Sequence, residues 1–315
     1  MSRKVLLTGG AGFIGSHIAD QYLAGGWDVT VLDDLSSGRR DNVPSGAAFV
    51  QADIGSGTAR ALLADGGFTL LNHHAAQMDV RVSVERPQHD AQVNLLGLLN
   101  LLEGARAGGV RRVVFASSGG VVYGDSADLP HPESARKLPV SPYGVSKLAS
   151  EFYLAAYAQM YGLETVALRY ANVYGPRQNP HGEAGVVSIF GSRLRAGRPL
   201  TVYGDGTQTR DYVFVKDVAR ANVLAATCSM PAVYHVDDRA ANIGTAVETS
   251  VLDLATGLCA TSGASVPVEH APARTGELAR SAVRIGRAAE WFGWQPEYDL
   301  AAGLAATWEW ICAEG

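Results

Sequence analysis

The chain has 315 residues, 47% of them apolar and only 18% charged, which excludes intrinsic disorder, a state that needs low hydrophobicity and high net charge. Its formal charge of −5, from 26 basic and 31 acidic side chains, gives no basic surplus for a phosphate backbone, so nucleic acid is not an expected partner. No apolar run reaches the ~18 residues that cross a bilayer, so no membrane association is expected.

In chain order, Lys4–Thr8 reads as a buried strand and Phe13–Ala24 as a helix with Ile14, Ile18 and Tyr22 on one face. Asp28–Leu32, Ala48–Gln51 and Phe68–Asn72 read as strands, followed by a helix over Val93–Ala107 and a strand over Arg112–Ala116. A long helix over Tyr143–Tyr161 enters after Pro142, and Thr165–Arg169 is the next strand. Strands alternating with helices imply βαβ units, hence an α/β chain with a Rossmann-type, doubly wound parallel sheet. From about Gln178 the alternation breaks into a loop-rich stretch. The expected division is therefore a dinucleotide-binding domain over 1–177 and a smaller α/β substrate lobe over 178–315, with 211–230 packing back onto the first.

Cys228, Cys259 and Cys312 are odd in number and lack CxxC spacing, so neither a disulfide framework nor a zinc site is implied and no metal is expected. The opening apolar run, Val5 to Leu7, is too short for a secretory leader, and the expected location is cytoplasmic. His73 and His74 lie on an apolar run and read as packed core.

Between the first strand and helix lies Thr8-Gly9-Gly10-Ala11-Gly12-Phe13-Ile14-Gly15, with GxGxxG at Gly10, Gly12 and Gly15 and a second frame at Gly9, Gly12 and Gly15. Glycines permit a sharp turn and close approach to a pyrophosphate, which the helix N-terminus then attracts. The second strand leads into Asp33, 18 residues past Gly15, where a carboxylate accepts the adenosine ribose hydroxyls and repels a 2′-phosphate. NAD is therefore expected over NADP. Asp34 beside it is a further candidate cofactor contact, with capping or solvent exposure as the plainer reading; Asp53-Ile54, after the third strand, is placed to border the adenine or simply to make a turn.

Tyr143 and Lys147 are four residues apart on one helix face. A phenol with pKa near ~10 is a poor base at neutral pH, and a neighbouring ammonium together with an oxidised nicotinamide favours its phenolate. Such a base removes the proton of a carbinol as hydride leaves the carbon. Upstream, Phe115-Ala-Ser117-Ser118-Gly119-Gly120 carries a strand into a turn at the ligand-binding edge of a parallel sheet. Ser118 is the chosen hydroxyl for the reacting oxygen; Ser117 competes for that role and is also a candidate cofactor contact.

The ordered set TGGAGFIGSH, LDDLSSG, HHAAQ, FASSGGVVYG, SPYGVSK, LRYANVYGPRQ and RDYVFVKDVA resembles the extended short-chain dehydrogenase/reductase family, most closely its nucleotide-sugar 4-epimerases. The resemblance implies a cycle without net redox: C4 of a UDP-hexose is oxidised with Tyr143 taking the hydroxyl proton, and the 4-keto sugar turns over and is reduced on its other face. It implies that Lys147 tunes Tyr143 and holds the nicotinamide ribose. The same resemblance gives Ser37 and Gly38, Ala75, Ala76 and Gln77, Asn94 and Tyr170 as further cofactor contacts. For the substrate it implies Asn172 at the diphosphate or sugar, Val187 lining the nucleotide cleft, and Thr201 and Tyr203 flanking uracil. Arg210 and Arg274 would take the diphosphate and Glu277 the uridine ribose. A homodimer formed by the helices around Tyr143 and around Leu95–Leu102 is also implied.

Family members that dehydrate or decarboxylate sugars carry acidic residues after the catalytic Ser or Thr. This chain has Gly119-Gly120-Val121-Val122 there, which favours epimerisation of UDP-glucose and UDP-galactose. Ser281 stands where some relatives hold a tyrosine, so the N-acetyl sugars are a further expected pair. The alternatives are a UDP-glucuronate 4-epimerase, another nucleotide-sugar dehydratase or reductase, and a non-catalytic NAD sensor.

Overall fold

In the computed structural model, which describes residues 3–125, 128–180, 185–273 and 278–313, Lys4–Thr8 forms the first strand, β1. Val5, Leu6 and Leu7 are fully buried, as befits a strand covered on both faces. Asp28–Asp33 (β2), Ala48–Gln51 (β3), Leu70–His73 (β4), Arg112–Ser118 (β5), Glu164–Tyr170 (β6), Asn172–Tyr174 (β7), Leu200–Tyr203 (β8) and Thr209–Phe214 (β9) follow. Ala240–Ile243 (β10), Glu248–Ser250 (β11), Val268–Ala271 (β12) and Arg280–Ser281 (β13) complete the strands among the described residues.

Seven strands form one parallel sheet in the order β3-β2-β1-β4-β5-β6-β10. This is the doubly wound sheet expected from the alternating pattern. The order reverses between β1 and β4, and sheets of this kind bind ligands beyond the strand carboxyl ends at such a point. Alternate residues of β5 feed two helical layers. Val114 and Ala116 pack with Ile18, Tyr22, Val218 and Ala221; Val113 and Phe115 pack with Leu63, Leu98 and Leu154.

The helix Pro142–Tyr161 starts where Ser141 Oγ accepts from the Gly144 N–H at 3.2 Å, with Pro142 in its first turn. It ends at Gly162, φ +70°, a left-handed stop open to glycine. The helix expected over Val93–Ala107 is two pieces, a wide π turn over Gln92–Leu96 and an α-helix over Gly97–Ala107. Gly97 fits because a Cβ there would lie 2.7 Å from Ile54 Cδ1. In the first half of the chain, the helices Gly57–Asp65, Val80–Glu85 and Pro87–Ala91 escaped the periodicity reading. Their signals are caps, Ser56 and Asp79, and Pro87 at a first turn, rather than long apolar stripes.

After β6 the chain builds a second sheet around β9, which pairs antiparallel with β11 and parallel with β7 and β13, beside a parallel β8–β12 pair. Val187, Phe190, Leu200, Phe214 and Leu254 form its core. The helix Val215–Ala225 returns to the first unit, placing Val218 and Ala221 against Ile18 and Tyr22. The chain comes back again at β10 and at Ala288 and Trp294. Among the described residues no helix is long and apolar enough to cross a membrane.

Candidate active site

The turn after β1 is built from glycines because nothing larger fits. Gly9 has φ +71°, and a Cβ on it would lie 2.6 Å from the Ala75 nitrogen. A Cβ on Gly15 would lie 2.2 Å from the Gly9 carbonyl oxygen. The helix Phe13–Ala24 begins at Gly12 with no side-chain cap, so the first-turn N–H groups at Phe13 and Ile14 are left to a ligand. At the end of β2, Asp33 Oδ2 accepts from the Ala11 N–H at 3.0 Å and Oδ1 from the Leu35 N–H at 2.9 Å. Burial pushes its carboxyl above the usual range. Each oxygen retains a lone pair for a further donor. Gly38 lies on the turn, where a Cβ would be 2.9 Å from Ala11 Cβ and 3.0 Å from Asp33 Oδ1; Ser37 beside it is exposed. A side-chain-free cradle, an uncapped helix start and a carboxylate at the next strand end together fit a dinucleotide.

Two further acidic candidates also make local hydrogen bonds. Asp34 is exposed and accepts from the Ser36 N–H and hydroxyl at 2.8 and 2.6 Å. Asp53 Oδ1 accepts from the Gly55 N–H at 2.6 Å, a turn closed by its own side chain, while Ile54 is buried against the Gly97 helix.

Across the switch point, Thr8 Oγ1 accepts from the N–H groups of His74 and Ala75, both at 3.2 Å, and meets His73 Nδ1 at 2.7 Å. Burial keeps both imidazoles neutral, with the pKa of His74 down to about 4. The segment Ala75-Ala76-Gln77 then leaves β4 over the crevice. Gln77 N–H donates to Asn94 Oδ1 at 3.0 Å, and Asn94 Nδ2 donates back to the Gln77 carbonyl at 2.9 Å. Beneath them, fully buried Asp90 accepts from Gln77 Nε2 and Asn94 Nδ2, each at 2.9 Å, and from Ser146 Oγ at 2.5 Å. Asp90, Ser146 and Thr8 were not singled out by sequence. Asp90 is four residues before Asn94, and Ser146 directly precedes Lys147.

Lys147 Nζ donates to the Ala116 carbonyl at 2.8 Å and lies 4.7 Å from the Phe115 ring centre and 5.7 Å from that of Tyr143. Burial brings its pKa down to about 8, partly offset by the charges of Asp90 and Glu151. The two serines at the end of β5 are not equivalent. Ser117 Oγ is buried and donates to Glu151 Oε1 at 2.5 Å. Ser118 is half-buried, and among the described residues its hydroxyl has no hydrogen-bond partner, which leaves it available to a reacting oxygen. Next to it, a Cβ on Gly119 would lie 2.8 Å from Val283 Cγ1 and 3.2 Å from the Arg169 carbonyl oxygen. Tyr170, paired with Ser118 across β5 and β6, stacks on His74 at 5.9 Å. Its hydroxyl receives Asn222 Nδ2 at 2.8 Å, so that group is committed to the interior.

On the second unit, Asn172 is exposed at the start of β7. Val187 is 1% exposed in the core, so a ligand would meet its main-chain N–H in the first turn of Val186–Arg195 and not its side chain. Thr201 Oγ1 accepts from Arg193 Nη1 at 2.8 Å, and Tyr203 is exposed at the end of β8. Half-buried Arg210 lies beside Ser281 in the β9–β13 register. Arg274 and Glu277 lie outside the described residues. No group of three or more His, Cys, Asp or Glu among the described residues is placed to hold a metal.

Residues 5–237 match the model of the NAD dependent epimerase/dehydratase family. The chain is 47% identical over 311 residues to a UDP-glucose 4-epimerase of Mycolicibacterium smegmatis, covering 97% of each protein. Among solved structures, it resembles the UDP-glucose 4-epimerase of Thermotoga maritima with UDP-glucose (TM-score 0.94, 40% identity, 99% of each chain covered). It also resembles that of Thermus thermophilus in complex with NAD (TM-score 0.89, 42% identity, 99% of this chain and 100% of that one).

Proposed function

The chain belongs to the NAD dependent epimerase/dehydratase family, and from that premise we propose that it is a UDP-hexose 4-epimerase interconverting UDP-glucose and UDP-galactose. Its cofactor is NAD. The observation that carries the reading is the pairing of Tyr143 with buried Lys147 beside a strand end that holds a disengaged Ser118 hydroxyl and no acidic side chain after it.

When bound, NAD supplies a reversible hydride acceptor for the C4 carbon. The turn Gly9–Gly15 and the N-terminus of Phe13–Ala24 would hold its pyrophosphate, Asp33 its adenosine ribose, and Lys147 its nicotinamide ribose. Tyr143 as phenolate takes the proton of the C4 hydroxyl and returns it. The Lys147 ammonium, fixed by the Ala116 carbonyl, stabilises that phenolate. Ser118 donates to the C4 oxygen, and stabilisation of oxyanion character there works because the donor is already in place. Asn172 at the start of β7, with Arg210, Arg274 and Glu277 on the 178–315 lobe, would anchor the nucleotide while the sugar presents each face in turn.

A dehydratase needs an added acid–base pair. The residues after Ser118 are Gly119, Gly120, Val121 and Val122, none of which can carry a proton, so the epimerase reading is favoured over its dehydratase sister. Incubation with UDP-galactose followed by proton NMR tests it: UDP-glucose must accumulate to a mixture also reached from UDP-glucose. The small, largely buried Ser281 beside Arg210 supports a second reading, turnover of the N-acetyl pair, which the same assay with UDP-GalNAc decides.

The enzyme acts as a homodimer in this reading. Val145, Phe152, Tyr153 and Met160 on the helix Pro142–Tyr161 are each at least 41% exposed, and Leu96 on the neighbouring helical segment is 52% exposed. An apolar stripe of that size marks a protein-binding face. Cys228, Cys259 and Cys312 are free thiols, which suits the reducing cytoplasm, where we place the reaction.

A further inference from the structure

Ser118 has a chain neighbour, and Lys147 a residue one helical turn on, tied into one buried ionic cluster. Arg169, fully buried, donates from Nε to Glu151 Oε1 and Oε2 at 3.0 and 3.2 Å, and from Nη2 to Oε2 at 2.5 Å. Its Nη2 also reaches Asp237 Oδ1 at 2.7 Å, and its Nη1 donates to the Tyr123 hydroxyl at 3.1 Å and the Glu133 carbonyl at 3.0 Å. Glu151 is 2% exposed, and its Oε1 accepts from Ser117 Oγ at 2.5 Å.

The members lie one step behind the site. Ser117 precedes Ser118, Glu151 is one turn beyond Lys147, and Arg169 precedes Tyr170 and pairs in register with Ser117. Lys147 grips β5 at the Ala116 carbonyl and Glu151 grips it at Ser117. Two successive turns of the catalytic helix thus hold the two residues before Ser118. Ion pairs this deep are often no more stabilising than apolar residues of equal volume, because desolvation offsets their attraction. Stability alone therefore gives little reason for the pair, whereas fixed geometry does, since a misplacement of about 1 Å costs up to about 100-fold in rate.

We propose that Glu151 is a positioning residue: its carboxylate, locked by Arg169, acts through Ser117 to set the spacing between the Ser118 hydroxyl and the Tyr143–Lys147 pair. The proposal rests on the epimerase reading above.

The test is a double-variant cycle on the NAD-loaded enzyme with UDP-galactose. Ser117→Ala removes the link and leaves the Arg169–Glu151 pair intact; Glu151→Asp keeps the charge but shortens the reach. Each is expected to lower kcat about 10-fold or more while the KM for UDP-galactose and bound NAD stay within about two-fold of wild type. The double variant is expected to be no slower than Glu151→Asp alone, since both break one link. Wild-type kcat in Ser117→Ala, a loss that falls on KM or NAD content, or losses that multiply in the double variant would overturn the proposal. Should Glu151→Asp not fold, the kcat-against-KM split of Ser117→Ala decides alone. A wild-type protein inert toward UDP-galactose would instead defeat the epimerase reading.

Discussion

Lys147 Nζ lies 5.7 Å from the centre of the Tyr143 ring, one helical turn away, and is held there by the Ala116 carbonyl at 2.8 Å. The phenol oxygen is the group on which the proposed proton transfer depends. Tyr143→Phe keeps the ring and its packing. Its kcat is expected to drop by about 10²–10⁴, with bound NAD and melting temperature unchanged. An NMR time course beside a cofactor assay checks both halves of that statement.

Burial brings the pKa of Lys147 from 10.5 to about 8, so its cation is present below that pH and lost above it. Support for the Tyr143 phenolate goes with it. The epimerase kcat/KM is expected to decline as pH rises through about 8, well below the pH at which an ordinary lysine loses its charge. Lys147→Met, which has no proton to lose there, should retain a small residual rate without that limb. A pH–rate profile from 6 to 10 separates them.

Asp33 already accepts from Ala11 and Leu35. Asp33→Asn keeps one acceptor oxygen and removes the charge. NAD binding is expected to weaken about 10- to 100-fold, the loss of roughly 1.5–3 kcal/mol that a charged hydrogen bond contributes. Discrimination against NADP should shrink too, because the carboxylate no longer repels the 2′-phosphate. Titration of refolded apoprotein with each dinucleotide measures both effects.

Phe152 is 57% exposed in the middle of the apolar stripe. A two-fold interface brings the same patch from both copies together, so Phe152→Glu would set two carboxylates in it. Light scattering is expected to report a dimer for wild type and a monomer for the variant, with bound NAD retained.

Much of this site was legible because its parts are contiguous. Gly9 to Gly15 and the Tyr143–Lys147 pair each lie within one turn or one helix, where spacing alone sets their relation. The central strands were equally plain, being continuous apolar runs. Short elements such as Val80–Glu85 were not, since six residues carry no periodicity and only Asp79 as a cap announces the helix. The ties that hold the site were the least visible. Asp90 meets Ser146 across 56 positions and Arg169 meets Asp237 across 68, and buried polar partners of that kind are chosen by the fold. The bond that ties Ser117 and not Ser118 to Glu151 was likewise hidden, since no local pattern reveals the place of Glu151 under β5. Val187 shows the converse: an apolar residue assigned to the cleft has its side chain in the core.

The most direct test follows the hydrogen on the reacting carbon. UDP-galactose deuterated at C4 is incubated with the enzyme in ordinary water, and the UDP-glucose formed is read by NMR. With Tyr143 handling only the hydroxyl proton, the deuterium must remain on C4 of the product. Its exchange for solvent hydrogen would mean that the C–H bond is broken by a base, and the account would be wrong.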